Sequence, residues 1–421
     1  MTQIVLVEDL GWERLRPLTW LRPVGELFVG TRTNRERWRD AAGTEPVLWC
    51  RTELAGLSPH WVADAPIGAA RRLWVRDGLV PGGAWARDAL GGTAPTAWRN
   101  GDRILAVRTD RAPVPGISPN DPAFWEGLAE EAGSVDRDDA AEIRELPDLV
   151  RLTERRIVED VQREIDAVRA APADPASPGG ISEGAVLYRA DRIGFAPEVR
   201  IDDGVVLDAR DGPIFLGAET HVFPHTWIRG PFACRERCLL LGGRIGGGSF
   251  LGAGCRVRGE VEATCFHGLA NKAHDGFVGH SYVAEWVNLG AGTTTSDLKN
   301  NYGEIRLHAY GRTIESGQIK IGAFIGDHAK TRIGALLNSG SVIGLGANVF
   351  GERAVFPKWM PDYAWGIGAG ASIHQWDRFV GTARTVATRR GLELGAGAEA
   401  ALRIAYDRSR AEGAGWGEEI D

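Results

Sequence analysis

"IKIGAFIGDHAKTRIGALLNSGSVIGLGANVFGERAV", Ile319 to Val355, decides the fold. Ile319, Ile325, Thr331, Leu337, Ile343, Val349 and Val355 recur at every sixth position, and all but Thr331 are aliphatic. Four places after the first five of these stand Ala323, Ala329, Ala335, Ser341 and Ala347, small enough to let the backbone turn close to an apolar interior. A helix would repeat near 3.6 residues, so a period of six excludes it. The same beat returns in Leu216, Val222 and Ile228, in Ile245, Leu251 and Val257, and in Phe277, Val283 and Leu289. Hexads of this kind predict a three-faced prism in which residues eighteen apart stack. Each coil then bonds to the next at about 4.8 Å and adds one side chain to an aliphatic column. A single coil buries little, and the stack makes the core.

The rest of the chain is of a different kind. With 421 residues it exceeds one ordinary core, so two domains with connecting pieces are expected. Residues 1–148 alternate short apolar runs ("QIVLV", "PVLWC", "RRLWV") with polar and Gly/Pro turns, a mixed α/β pattern. Residues 149–182 read as a connecting helix, with Ile157, Val161, Ile165 and Val168 on one face, and the linker "APADPASPGG". The β-helix is assigned to 183–373. A helical tail, 374–421, carries "WDRFVGTARTVATRRGLEL" and "EAALRIAYDRSR" and is predicted to cap the last coil.

A net charge of −7 without a basic block argues against nucleic-acid binding. The longest N-terminal apolar run, "IVLV", is followed at once by Glu8 and Asp9, which argues against a signal peptide or membrane insertion and for a cytoplasmic protein. Cys234, Cys255 and Cys265 sit inside the repeat as structural thiols, and "CRERC" lacks the second pair a metal site would need.

One stretch breaks the beat: "NKAHDGFVGHSYVAEWVNLGAG", Asn271 to Gly292, sets Lys272, His274 and Asp275 together. Hexads interrupted by a loop with His and followed by "VNLGAGT" resemble the left-handed β-helix acyltransferases. "ERLRPLTWLRPVGELFVG" and "NKAHDGFVGHSYVAEWVNLGAGTTTSDLKNNYGEIRL" extend the likeness over nearly the whole chain. It resembles the bacterial bifunctional family of N-acetylglucosamine-1-phosphate uridyltransferase and glucosamine-1-phosphate acetyltransferase, in its divergent sugar-nucleotidyltransferase branch. The resemblance implies a left-handed parallel β-helix, a homotrimer, and acetyl-CoA as cosubstrate in a groove between subunits. It also implies His274 as the base that deprotonates the amino sugar, Asn288 as a sugar ligand, and Ala291 as the residue whose backbone meets the thioester. Asn301 and Tyr302 resemble the family's Asn-Tyr pair near the acetyl group, with four extra residues before them. Phe277 stands where the family has tyrosine.

Residue chemistry fits these roles. An ammonium has no lone pair to attack a thioester, so transfer needs a base, and imidazole titrates in the right range. Backbone N–H groups around Gly290 to Gly292 can steady the oxyanion. Lys272, Arg244 and Arg258 are candidates for a sugar phosphate, and Lys330 and Arg332 for the phosphates of coenzyme A. Each also reads as an ordinary solvated charge, and His274 as a surface loop histidine. His280 and His267 could join a zinc site only across a subunit interface.

In the first half Arg14, within "ERLRPLT", matches a phosphate-facing arginine of sugar nucleotidyltransferases. The turn before it, "EDLGWE", keeps one glycine but brings two acids where phosphates would approach, and Val24 replaces a lysine. Asp102 in "NGDRILAV" reads either as a Mg²⁺ ligand or as a hairpin turn, with Mg²⁺ required only if this half is catalytic. The expected activity is CoA-dependent acyl transfer to an amino sugar-1-phosphate, with sugar-1-phosphate nucleotidyl transfer as a second activity. The alternative is a catalytically silent β-helix scaffold or a sugar-nucleotide sensor.

Overall fold

A computed structural model describes residues 2–65, 71–170, 180–351, 356–368 and 370–413. Val355, and most of the linker that begins at Ala171, lie outside the described residues. The chain falls into two compact units: Met1–Leu27 with Arg32–Asp148 and Gly395–Ala405, and Phe28–Thr31 with Leu149–Leu394 and Tyr406–Asp421.

The first unit is built on a seven-stranded sheet. The three apolar runs become strands Gln3–Val7, Val47–Trp49 and Arg72–Arg76. Gln3–Val7 pairs in parallel with Val47–Trp49 on one side and Arg72–Arg76 on the other. Two neighbours reached in opposite directions make the carboxyl ends of these strands a topological switch point, where open α/β sheets hold ligands. Arg103–Thr109 then runs antiparallel to Arg72–Arg76 and to Thr96–Asn100. Ile4, Leu6, Leu48 and Leu73 bury one face of the sheet, and Val5, Val7, Trp74 and Val107 the other.

The second unit is a parallel β-solenoid. Its inner column runs Ile201, Val222, Leu240, Val257 through successive pairings. A second column runs Leu207, Ile228, Ile245, Val261, Val278. All of these are buried. The predicted spacing of eighteen holds for Ile214 to Phe232 and Ile325 to Ile343. Elsewhere a coil takes 15 residues (Leu251 to Phe266), 17 (Cys234 to Leu251) or 21 (Ile193 to Ile214). These departures fall at the corners, so the faces stay in register.

Two hexad assignments need correction. Phe277 is only half-buried and pairs with Glu260 on the outer surface, while Val278 is fully buried. Ile319 is 51% exposed, because residues 296–321 leave the solenoid as an insertion with its own hairpin, Arg306–Ala309 with Arg312–Glu315. The solenoid resumes at Ala323–Ile325, which pairs with Tyr282–Val283. Thr331, the non-aliphatic member of the series, bonds through its hydroxyl to Thr293 and accepts the Gly290 N–H.

One corner repeats a left-handed backbone residue in Arg237, Gly254, Leu269, Trp286, His328, Gly346 and Tyr363. That conformation costs a non-glycine residue free energy, which the stacked coils hold in place. The tail helix Trp376–Thr388 runs along this corner and does not simply cap the last coil. Phe379 packs its ring on Tyr363, His328 and His374, and Arg390 reaches the carbonyls of Gly254 and Leu269. The connecting helix is Leu146–Ala170, three residues longer at its start than the spacing suggests. Ile157, Val161 and Ile165 are buried and Val168 half-buried.

Candidate active site

A cleft of about 490 Å³ opens at the carboxyl ends of Gln3–Val7 and Arg72–Arg76. Asp9, Arg14, Arg76, Asp102, Arg103 and Trp125 are among its lining residues. Of the two acids in the turn, only Asp9 faces it. Glu8 turns inward, 7% exposed, and pairs with Arg51. Burial pushes its carboxyl up to about 7, against the pull of Arg51. Continuing the strand's period of two from Ile4 and Leu6 sends Glu8 to their buried side, a signal the sequence carries.

Asp9 is occupied as well. One oxygen accepts the Gly11 N–H at 2.8 Å, and the other pairs with Arg76 and lies 3.8 Å from Arg103. Arg103 also pairs with Glu142, and Arg14 with Glu145. The guanidinium of Arg76 stacks 4.4 Å above the Trp125 ring. The cleft's cations are therefore matched by its own carboxylates. Asp102 lies in the two-residue turn of a hairpin, the Asn100 to Arg103 pair closing it, and that turn lines the cleft. Asp102 makes no hydrogen bond or ion pair among the described residues. It offers one carboxylate to Mg²⁺, and a second would come from Asp9 only at the loss of Arg76. Mg²⁺ is usually held through one or two carboxylates plus substrate phosphates, so Asp102 alone supplies the lower end of that donor set.

The solenoid brings a second group of residues to one corner. The bridge from Asn271 to Asn288 sets the register between two coils, and the Gly292 N–H donates to the Asp275 carbonyl at 2.9 Å. That bond brings the corner that carries His274, next to Asp275, against the coil that carries Ala291, next to Gly292. A further bridge from Asn288 to Lys330 adds the next coil, with Arg332 beside Gly290. Five residues singled out in the sequence, His274, Asn288, Ala291, Lys330 and Arg332, thus share one edge across three coils.

The neighbouring hydrogen bonds define what each can do. His274 is exposed, and its imidazole makes no hydrogen bond or ring contact among the described residues. Gly290 and Gly292 have spent their N–H groups on Thr331 and Asp275, so the Ala291 N–H is the one of the three without a partner among the described residues. Asn288 accepts from Asn271 at 2.8 Å. Lys330 donates to the His328 carbonyl at 3.0 Å, and burial pushes its amine down to about 8. Arg332 is exposed and reaches the Gly351 carbonyl.

Other expectations change. Lys272 is not an outward cation: it is 2% exposed and donates to the carbonyls of Arg258 and His274. Arg258 binds Asp275 and the Leu241 carbonyl, which braces the loop from outside. Arg244 lies over Trp227 and 3.6 Å from Glu260, on the adjoining face. Asn301 and Tyr302 sit in the insertion, Tyr302 70% exposed, with no hydrogen bond or ring contact to His274, Asn288 or Ala291. His267 pairs with Glu285 and His280 with Asp297, and among the described residues no three His, Cys, Asp or Glu groups form a metal cluster. All five cysteines are buried free thiols. No helix of the described residues is long and apolar enough to cross a membrane.

Comparison with known proteins gives two likenesses. The sequence profile of the sugar nucleotidyl transferase family matches residues 4–166. A bifunctional sugar-1-phosphate nucleotidylyltransferase/acetyltransferase of Sulfurisphaera tokodaii is 40% identical over 77 residues, 18% of this chain. The matched stretch spans about a fifth of that relative's length, 19%. The architecture is thus a nucleotidyltransferase domain with a largely parallel sheet, followed by a β-solenoid and C-terminal helices.

Proposed function

We propose that the chain transfers an acetyl or similar acyl group from a CoA thioester to an amino sugar-1-phosphate at the His274 corner. The observation that carries this is the Gly292 to Asp275 hydrogen bond, which brings the corner with His274 against the coil of Ala291, whose N–H has no partner among the described residues. His274 takes the proton of the attacking amine. As the C–N bond forms, the carbonyl oxygen gains charge that the Ala291 N–H can accept as a hydrogen bond, and the C–S bond then breaks to release the thiol. Asn288 and Asn271 offer amide groups to sugar hydroxyls, and Arg332 and Lys330 offer charge to coenzyme A phosphates. A groove between subunits of a homotrimer would complete the site, and the exposure of His274 in one chain accords with that. A nucleotidyltransferase domain joined to a β-solenoid, together with likeness to a relative whose name couples nucleotidylyl and acetyl transfer, supports the pairing of two transfer activities.

The test is release of free thiol from acetyl-CoA in the presence of glucosamine-1-phosphate. Thiol release at the same rate in His274→Ala would remove the base from this account.

For the first unit the reading is sugar-1-phosphate nucleotidyl transfer, with Arg14, Arg76 and Arg103 as the groups that would hold phosphates. A sugar-nucleotide sensor is the second reading, favoured by the carboxylates that already engage those arginines. Pyrophosphate release from nucleoside triphosphates and sugar-1-phosphates with Mg²⁺ separates the two.

A further inference from the structure

Lys272 stands in an aliphatic column. Val257 pairs with it on one side, and the Asn271 to Asn288 bridge puts Leu289 beneath it on the other. An ammonium there loses its hydration, and burial pushes it down to about 8 although Asp275 draws it up. An apolar side chain would fill the column at lower cost, so the amine needs a local reason.

The corner geometry gives one. Between the two inner columns, Val222 and Ile228 are six residues apart, Leu240 and Ile245 five, Val257 and Val261 four. At Lys272 and Val278 the count returns to six. The shortest corner turns through Gly259 at φ +88°, where an added Cβ would lie 2.9 Å from the Lys272 Nζ. A full-length corner carrying His274 therefore follows directly on a corner two residues shorter, and the two cannot pair along their length. Lys272 spans the mismatch, donating to the Arg258 carbonyl at 2.8 Å and to the His274 carbonyl at 2.9 Å.

We propose that Lys272 is a positioning residue, whose ammonium ties the shortened corner at Arg258 to the corner that presents His274 and so fixes where that corner holds its imidazole. Its catalytic consequence rests on the acyl-transfer reading; the tie itself does not. Two amides report on the corner directly, because Glu260 donates to the Gly276 carbonyl and Gly292 to the Asp275 carbonyl.

The experiment is hydrogen exchange of those two amides in the full chain, with thiol-release kinetics alongside, for Lys272→Met and Lys272→Gln. Methionine fills the column without donors and is expected to speed exchange of both amides about tenfold or more. It should also lower kcat for acyl transfer with little change in KM for acetyl-CoA. Glutamine keeps two N–H donors and is expected to restore part of the protection and part of kcat. Unchanged exchange in the methionine variant would overturn the proposal and leave Lys272 as core filling. Faster exchange with no transfer by the unmodified chain would sustain the tie and reject the acyl-transfer reading. If neither variant folds, Lys272 is a requirement of the whole solenoid and the local proposal falls.

Discussion

The cleft of the first unit and the corner of the second solve opposite problems. In the cleft, Arg14, Arg76 and Arg103 each face a carboxylate of their own chain. A phosphate arriving there must displace side chains. At the corner, backbone hydrogen bonds and Lys272 hold the coil, so the His274 imidazole and the Ala291 N–H are left unspent. A site fixed by its main chain can afford idle side chains. A site fixed by ion pairs has its charges engaged until something replaces the partner.

The largest effect separating the two regions should come from His274→Ala. Thiol release is expected to fall by about 10²- to 10⁴-fold while the melting temperature stays unchanged. Next is the solenoid core on its third face: Leu251→Ala removes a fully buried side chain and should destabilise the second unit by about 2–5 kcal/mol in denaturant titration. The Lys272 amine has its pKa lowered from 10.5 to about 8 on folding, so between those values the unfolded chain binds more protons. Stability relative to Lys272→Met should therefore rise as pH climbs from 8 to 10.5, by about 3 kcal/mol at most. A flat difference across that range would mean that the amine is solvated. In the cleft, Asp9→Asn frees Arg76 and is expected to tighten inorganic pyrophosphate about tenfold in calorimetry. The smallest change is Arg99→Ala. It breaks a surface pair with Glu126 at 2.8 Å, which solvent screens to below about 1 kcal/mol of stability.

Much of this was legible in the sequence because it depends on periodicity. The hexads gave the inner columns, alternation gave Gln3–Val7 and Arg72–Arg76, and "NGD" gave the turn at Gly101 and Asp102. His274 and Ala291 could be paired through the motif that contains both. Corner length could not be read, because a missing residue there is absorbed by left-handed backbone at Gly243 and Gly259 and leaves the hexad phase intact on either side. Lys272 was misread for the same reason: with the corner lengths unknown, a lysine next to a histidine looks like surface charge. The match of Asp9 to Arg76 joins residues 67 apart, a pairing only the sheet creates.

The insertion at 296–321 has a neck as narrow as a turn: the Ile321 N–H meets the Asp297 carbonyl at 2.9 Å, and Leu298 bridges to Lys320. Val283 and Ile325 stack as neighbours although 42 residues separate them. By topology the excursion hangs from the wall, yet it also leans on it: Tyr310 packs on Trp359 and donates to Asp362. Cutting it back to a short link between Asp297 and Ile321 should keep the coil register and take Tyr302 with it, while uncovering Trp359 and leaving Asp362 without Tyr310. The length of the loop can therefore vary without changing the coil register, provided its replacement still covers Trp359.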